Sequence, residues 1–443
     1  MSLFLSVLAS YQLPSILGLP FLVLLILIAI GPLFFKHWWH SNYKYVSVGI
    51  GISILAYYFI VVNDSSKPTH TFFEYFSFIS LLASLYIICG GIFIQLDFKP
   101  TILNNVVLLV FGAILSNIIG TTGASVLLIH PFIRMNQDRY KPYLIVFFIF
   151  IVSNVGGSLT PIGDPPLFLG FLKGVPFEWS IIHIIPEWLT ATGLLILIFI
   201  ILDLKNKTGI HEHIQTQFTN RIKFEGQKNF IWLVLIIICI FLDPAKISFL
   251  PSYHGHSFIR ECLQLSIAFI AYKFSDREAL YFNKFSFEPI LEVAFIFFGI
   301  FFSMMPALQL LQEYVSTPGN ITEITPTLIY WGTGACSSVL DNAPSYLTFL
   351  TASMSYLGFD VDDINQVINF AMNENTSHYL VAISTAAVFF GAMTYIGNGP
   401  NFMVKSIVEE SHKEMPSFME YIFKYSIPYL FPVLLIIWFV FIR

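Results

Sequence analysis

The 443-residue chain is 56% hydrophobic and only 11% charged, with a mean hydropathy of +0.74. Soluble domains carry about 25% charged residues, so a fold facing water on all sides is excluded. A net charge of −5 gives no footing for nucleic acid, and four cysteines scattered through apolar stretches (Cys89, Cys239, Cys262, Cys336) lack metal-ligand spacing.

A crossing helix needs about 20 apolar residues, whereas a barrel strand would show alternation. The long unbroken runs predict an all-α membrane protein with about ten transmembrane helices. Their cores are expected near 14–35, 45–62, 73–96, 142–160 and 181–202, then 229–242, 258–273, 288–311, 379–397 and 420–442. The first run has no basic n-region or small-residue cleavage site, so it reads as a spanning helix rather than a signal peptide. Segments 104–133 and 329–356 are apolar but interrupted near the middle by Gly, Pro, Ser, Thr, Asn or Asp. Each is either one crossing or a re-entrant hairpin that returns to its own side.

Lysine and arginine gather on the cytoplasmic side of membrane proteins. If both segments are hairpins, only Lys67, Lys173, Lys246, Arg260 and Arg443 fall on one side and the other 17 of the 22 fall opposite. If both cross once, the split is 9 against 13 and the bias disappears. Two re-entrant hairpins are therefore expected, in a multi-pass protein of the cell (inner) membrane with both termini outside.

The order of elements then repeats: three helices, a hairpin, an interrupted helix and a last helix. Each unit has an odd number of crossings, so the second must be inverted. The expected division is a first repeat over 1–204 (hairpin near 104–133, broken helix near 142–172), a cytoplasmic linker at 205–228, and a second repeat over 229–443 (hairpin near 329–356, broken helix near 379–408). The run Gly157 to Pro166 (GSLTPIGDPP) aligns with Gly391 to Pro400 (GAMTYIGNGP), and Gly91-Ile92-Phe93 with Gly299-Ile300-Phe301.

Each Gly/Pro cluster interrupts a helix inside the membrane and frees backbone polar groups. That is tolerated only where the backbone is buried in protein or lines a watery cavity, and paired breaks in two halves point to a transport site. The tips read Ser116-Asn117-Ile118-Ile119-Gly120-Thr121-Thr122 and Ser337-Ser338-Val339-Leu340-Asp341-Asn342. Hydroxyl, amide and carboxylate oxygens suit a hard cation such as Na⁺ and no transition metal. Small residues at the tips also serve helix packing. Asp164, Asp341 and Glu292 are carboxylates at or near membrane depth, where charge is functional by default. Asp164 faces Asn398 in the alignment, so proton coupling is expected of the first break and ion coordination of the second. At Asp341, Na⁺ and a proton are expected to compete for one carboxylate.

The runs SNIIGTTGAS, SNVGGSLTPIGDPPLFLG (153–170), SSVLDNAPSYLTF and GAMTYIGNGPN resemble the ion transporter superfamily over roughly residues 75–410. Within it the likeness is to NhaD-type sodium:proton antiporters and citrate-transporter-like relatives. The resemblance implies a scaffold domain, a moving transport domain holding both hairpins, and an elevator-like homodimer in the lipid bilayer. It also implies Na⁺ sites between hairpin tips and breaks, with no other cofactor. A first site would use Ser116, Asn117, Thr121, Thr122 and the Thr160–Gly163–Asp164 break. A second would use Ser337, Asp341, Asn342 and the Thr394–Gly397–Asn398 break.

Dicarboxylate carriers of the superfamily present Ser-Asn-Thr at both tips, whereas this chain has Ser116-Asn117-Ile118 and Asp341-Asn342-Ala343. Asp341 would repel a carboxylate substrate, which favours Na⁺/H⁺ exchange over cation-coupled citrate or dicarboxylate symport. An intramembrane hydrolase is disfavoured: Gly163-Asp164 lacks the first glycine of Gly-x-Gly-Asp, no His-Glu-x-x-His occurs, and the histidines at 37, 40, 211, 213, 254 and 256 fall in loops.

Overall fold

The computed structural model describes residues 13–206, 221–242, 258–317, 319 and 323–443. His211, His213, His254, His256, Lys207 and Lys246 lie outside the described residues. The chain is an all-α membrane protein: among the described residues nine helices are long and apolar enough to cross a bilayer.

The first half runs through α1 (Leu19–Phe34), α2 (Lys36–Tyr57), α3 (Ser66–Gly90), strand β1 (Phe93–Asp97), α4 (Ile102–Met135), α5 (Pro142–Ile151), α6 (Pro165–Lys173) and α7 (Trp179–Lys205). Strand β2 (Arg221–Glu225) follows, then α8 (Lys228–Ile240), α9 (Ile259–Phe274), α10 (Arg277–Phe282), α11 (Glu288–Ser316), α12 (Pro326–Val339) and α13 (Asn342–Tyr356). The chain finishes with α14 (Ile364–Met372), α15 (Glu374–Phe390), α16 (Gly399–Glu410) and α17 (Phe418–Ile442). Two of the expected crossings, α8 and α9, are only 13 and 16 residues long.

The helix expected over 73–96 stops at Gly90. Its continuation turns into β1, which pairs antiparallel with β2 from Phe93↔Glu225 to Asp97↔Arg221. The close packing at this turn requires glycine: a Cβ on Gly91 would meet Asn229 Nδ2 at 2.1 Å. The segment expected to be a linker thus contributes a strand. Gly91-Ile92-Phe93 consequently falls beyond a helix end while Gly299-Ile300-Phe301 lies within α11, so those two triplets are not structural counterparts.

α4 is long enough for a straight crossing, yet Gly120 (φ 80°, ψ 155°) breaks it into two arms. A straight helix would hold Asn105 and Asn136 about 46 Å apart at ~1.5 Å per residue. Instead their amides bond each other at 3.0 and 2.8 Å, so the arms fold back as a hairpin. α12 and α13 form the second hairpin, turning at extended Leu340 and Asp341, with Gly332 packed on Phe349. Both begin alike: Thr101 and Thr325 cap their first helix through the side-chain oxygen.

The hairpins open at opposite ends of the bundle. At the base of the first, Arg139 donates to Pro100 O and Asp203, Lys413 to Gln137 O, and Tyr140 to Glu414 O. At the base of the second, Tyr379 donates to Ile324 O and Gln312 to Asp360, while Lys173 Nζ sits 3.0 Å from Glu74 and 2.9 Å from Asp362. Among the described residues, Arg139 and Lys413 thus sit at the base of the first hairpin and Lys173 at the base of the second.

Helices in lipid gain little from the hydrophobic effect and depend on close packing. α2 and α11 run parallel with backbones in near contact: a Cβ on Gly299 would lie 2.7 Å from Ser47 O, and one on Gly51 2.8 Å from Phe298. α3 packs on α9 and α11, and this group meets the group formed by the hairpins, the broken helices and α7 along α3 and α11. Large side chains such as Phe34, Ile60 and Leu103 face outward, as a lipid-exposed surface requires.

Gln137 and Ser316 are both exposed and sit at opposite ends. In a cysteine-free background, an impermeant thiol reagent added outside intact cells should label Ser316→Cys and leave Gln137→Cys unlabelled. The reverse pattern would overturn the charge-based orientation.

Candidate functional site

The two broken helices are built alike. α5 ends at Ile151, passes through a 3₁₀ turn (Val155–Leu159) into extended Thr160, and restarts at Asp164, whose followers Pro165 and Pro166 cannot extend the helix backwards. α15 ends at Phe390, passes through Gly391–Met393 into extended Thr394, and restarts at Asn398 before Gly399 and Pro400. In each break the chain loops until two glycines touch. A Cβ on Gly163 would lie 2.0 Å from Gly157 O, and one on Gly397 2.5 Å from Gly391 O.

Hairpin tips seal the freed backbone. Asn117 Nδ2 donates to Gly156 O at 2.6 Å, its Oδ1 accepts from Leu159 N at 2.8 Å, and its carbonyl accepts from Thr160 Oγ1 at 2.5 Å. Ser116 Oγ lies 2.7 Å from Val152 O, and Thr121 N donates to Gly163 O at 2.7 Å. In the second set, Ser337 Oγ donates to Ala387 O at 2.6 Å and Thr394 Oγ1 to Ser338 O at 2.6 Å. Ser116, Asn117, Thr160, Ser337 and Thr394 are therefore committed to holding tip against break.

Asp164 is the point where the two sets meet. It is 1% exposed, and its Oδ1 accepts from Thr121 Oγ1 at 2.6 Å and from Asn398 Nδ2 at 3.1 Å. Its Oδ2 accepts from Asn342 Nδ2. One carboxylate thus receives hydrogen bonds from the first tip, the second tip and the second break. Every donor is neutral, and among the described residues no Lys, Arg or His forms an ion pair with Asp164 or Asp341. The charged group acting on Asp164 is another carboxylate, Asp341. Asp341 is partly exposed and caps α13, accepting from Ala343 N at 3.0 Å.

Asn398 Nδ2 also lies 3.2 Å from both Asn154 Oδ1 and Ser153 O, and Asn154 donates to Asn401 Oδ1 at 2.6 Å. Asn401 in turn donates to Gly391 O and Thr394 O. Asn154 and Asn401 were not singled out from the sequence, although each is an amide flanking a Gly/Pro cluster, in SNVGG and GNGPN. Thr122 is partly exposed on the same turn as Thr121, whose hydroxyl makes the bond to Asp164. Glu292 does not join: it lies on α11 and interacts with His40, Glu288 and Tyr43 near the start of α2.

Four helices start here: the second arm of α4, α6, α13 and α16. Their N-terminal N–H groups favour negative charge nearby. Asn342 Oδ1 and Ser158 Oγ are buried without a hydrogen-bond partner. No group of three His, Cys, Asp or Glu able to hold a metal occurs among the described residues. The chemistry available is thus that of oxygen ligands around one carboxylate.

Gly163→Ala should destabilise the protein by about 1–3 kcal/mol, the cost of overpacking a tight interior. Gly399→Ala, with nothing within 4 Å of the added carbon, should change stability by less than about 0.5 kcal/mol. Thermal unfolding in detergent checks both; equal stability of the two variants would show that the glycine contact is dispensable.

No curated protein matches the chain. Matched by it over residues 10–442, the chain belongs to the family described as "Putative citrate transport".

Proposed function

We propose that the protein is a secondary active transporter in which Asp164 binds a small monovalent cation and a proton alternately, acting as a Na⁺/H⁺ antiporter. The observation that carries this reading is that a carboxylate shared by both hairpins and both breaks has neutral hydrogen-bond donors and, among the described residues, no cationic partner. A charged side chain at membrane depth costs about 2.5–3.5 kcal/mol on insertion scales, unless it is paired or protonated. Among the described residues Asp164 receives hydroxyl and amide donors but no cationic side chain. Neutralisation then falls to a proton or to an arriving cation, and each displaces the other.

Two inverted repeats, 1–204 and 229–443, fit the proposal. Each presents a hairpin tip to a broken helix, and the two sets close on one acid. Movement of this set past α3 and α11, in an elevator-like homodimer in the cell membrane, would carry the neutralised acid between the two faces. Asp341, already engaged in capping α13, is assigned an assisting electrostatic role. Glu292, near the entry of α11, is left without a part in the exchange.

In proteoliposomes with a trapped pH dye, external Na⁺ or Li⁺ should drive proton movement, and Asp164→Asn should reduce it by at least about a hundredfold, as expected for a shared essential group. Asp341→Asn should retain measurable exchange. Coupled exchange at the normal rate in Asp164→Asn protein would refute the assignment.

A second reading is cation-coupled citrate or dicarboxylate symport. The family description and the four helix N-termini favour it, because N–H groups and dipoles suit carboxylates. Labelled citrate entering liposomes under an inward Na⁺ gradient, with no Na⁺-driven proton movement in its absence, would make symport the function. Na⁺-driven proton movement without citrate would make it antiport.

A further inference from the structure

α3 and α9 run parallel in one constant register. Ser77 Oγ donates to Glu261 Oε1 at 2.6 Å, and fourteen residues further along both helices a Cβ on Gly91 would lie 2.6 Å from Ser275 Oγ. Equal rise along parallel helices sets Ser80 opposite Gln264, with Ser84 one turn deeper. Arg260 closes the outer side: its Nε lies 2.8 Å and its terminal nitrogen 2.7 Å from Glu261 Oε1, and it donates to Ser77 Oγ at 3.0 Å.

Beyond that pair, Glu261 Oε2, Gln264 Oε1, Ser80 Oγ and Ser84 Oγ have no hydrogen-bond partner, although their residues are at most 1% exposed. Buried polar atoms are nearly always bonded, so four orphans in register on two facing helices mark a place where something binds. The orphans are all oxygens: one carboxylate, one amide carbonyl and two hydroxyls. Such a set suits a hard cation. The only carboxylate is shared with Arg260, which leaves too little charge for a divalent ion.

We propose that Glu261, Gln264 and Ser80, with Ser84 below them, form a buried Na⁺ site between α3 and α9. It lies in the helix group that holds α2, α9 and α11, apart from Asp164, and does not rest on the transport reading. An ion there satisfies the orphaned oxygens and fixes α3, whose Glu74 pairs with Lys173 of the broken helix α6.

The test is equilibrium binding of radiolabelled Na⁺ to the purified full-length protein. Gln264→Leu and Ser80→Ala should each weaken one site by about tenfold or more. At a Na⁺ concentration near the wild-type dissociation constant of that site, its occupancy should then fall about fivefold in the wild-type and Asp164→Asn backgrounds alike. Thermal unfolding in choline chloride should show both variants folded. Unchanged Na⁺ binding in both folded variants would overturn the proposal and mean that the pocket holds water only. A loss of binding on Asp164→Asn alone, with none from Gln264→Leu, would likewise overturn it while leaving the transport site standing.

Discussion

Inside hydrocarbon a backbone N–H or C=O without a partner costs several kcal/mol, and this chain opens two helices there. Each opening is closed by a hairpin that enters from the nearer end and plugs its tip into the gap. Asn117 shows how complete the closure is, since amide nitrogen, amide oxygen and backbone carbonyl all bind the first break. Tip and break therefore form one unit. The wall around Asp164 is preassembled, built of bonded tip and break rather than of a free loop.

Sequence carried much of this because the relevant signals are local. Glycine and proline clusters marked the breaks, and Asp164 at the start of α6 followed from a helix restarting after TPIG. The hairpins emerged from charge counting, which works because a re-entrant first segment, corrected by a re-entrant second, reverses the sidedness of every loop between them. What remained hidden depends on contacts between distant residues. Nothing in the run around Gly90 states that β1 will find β2 across more than 120 residues, so an unbroken apolar stretch reads as helix. The Gly91 triplet matched by composition and not by position.

The weighting of the two carboxylates shows the same limit. Asp341 and Asp164 are equally conspicuous as acids in apolar surroundings, and the sequence gives both a part in proton coupling. Folding separates them, because Asp164 is reached by Thr121, Asn342 and Asn398 from three different elements while Asp341 turns to its own helix start. Asn154 and Asn401 escaped notice for a related reason. An amide in a broken helix gains meaning only when its partner across 247 residues is known.

The two tips turn by different means, and that difference bears on how such a protein can diversify. The first needs φ near 80° at Gly120, a conformation few other residues adopt cheaply. The second is held by the cap of α13, and Asp, Asn and Ser cap helices about equally well. Charge at position 341 is thus separable from architecture. A lineage can add or remove a negative charge at the second tip without unfolding it, changing the electrostatics beside Asp164, while the first tip stays locked to glycine.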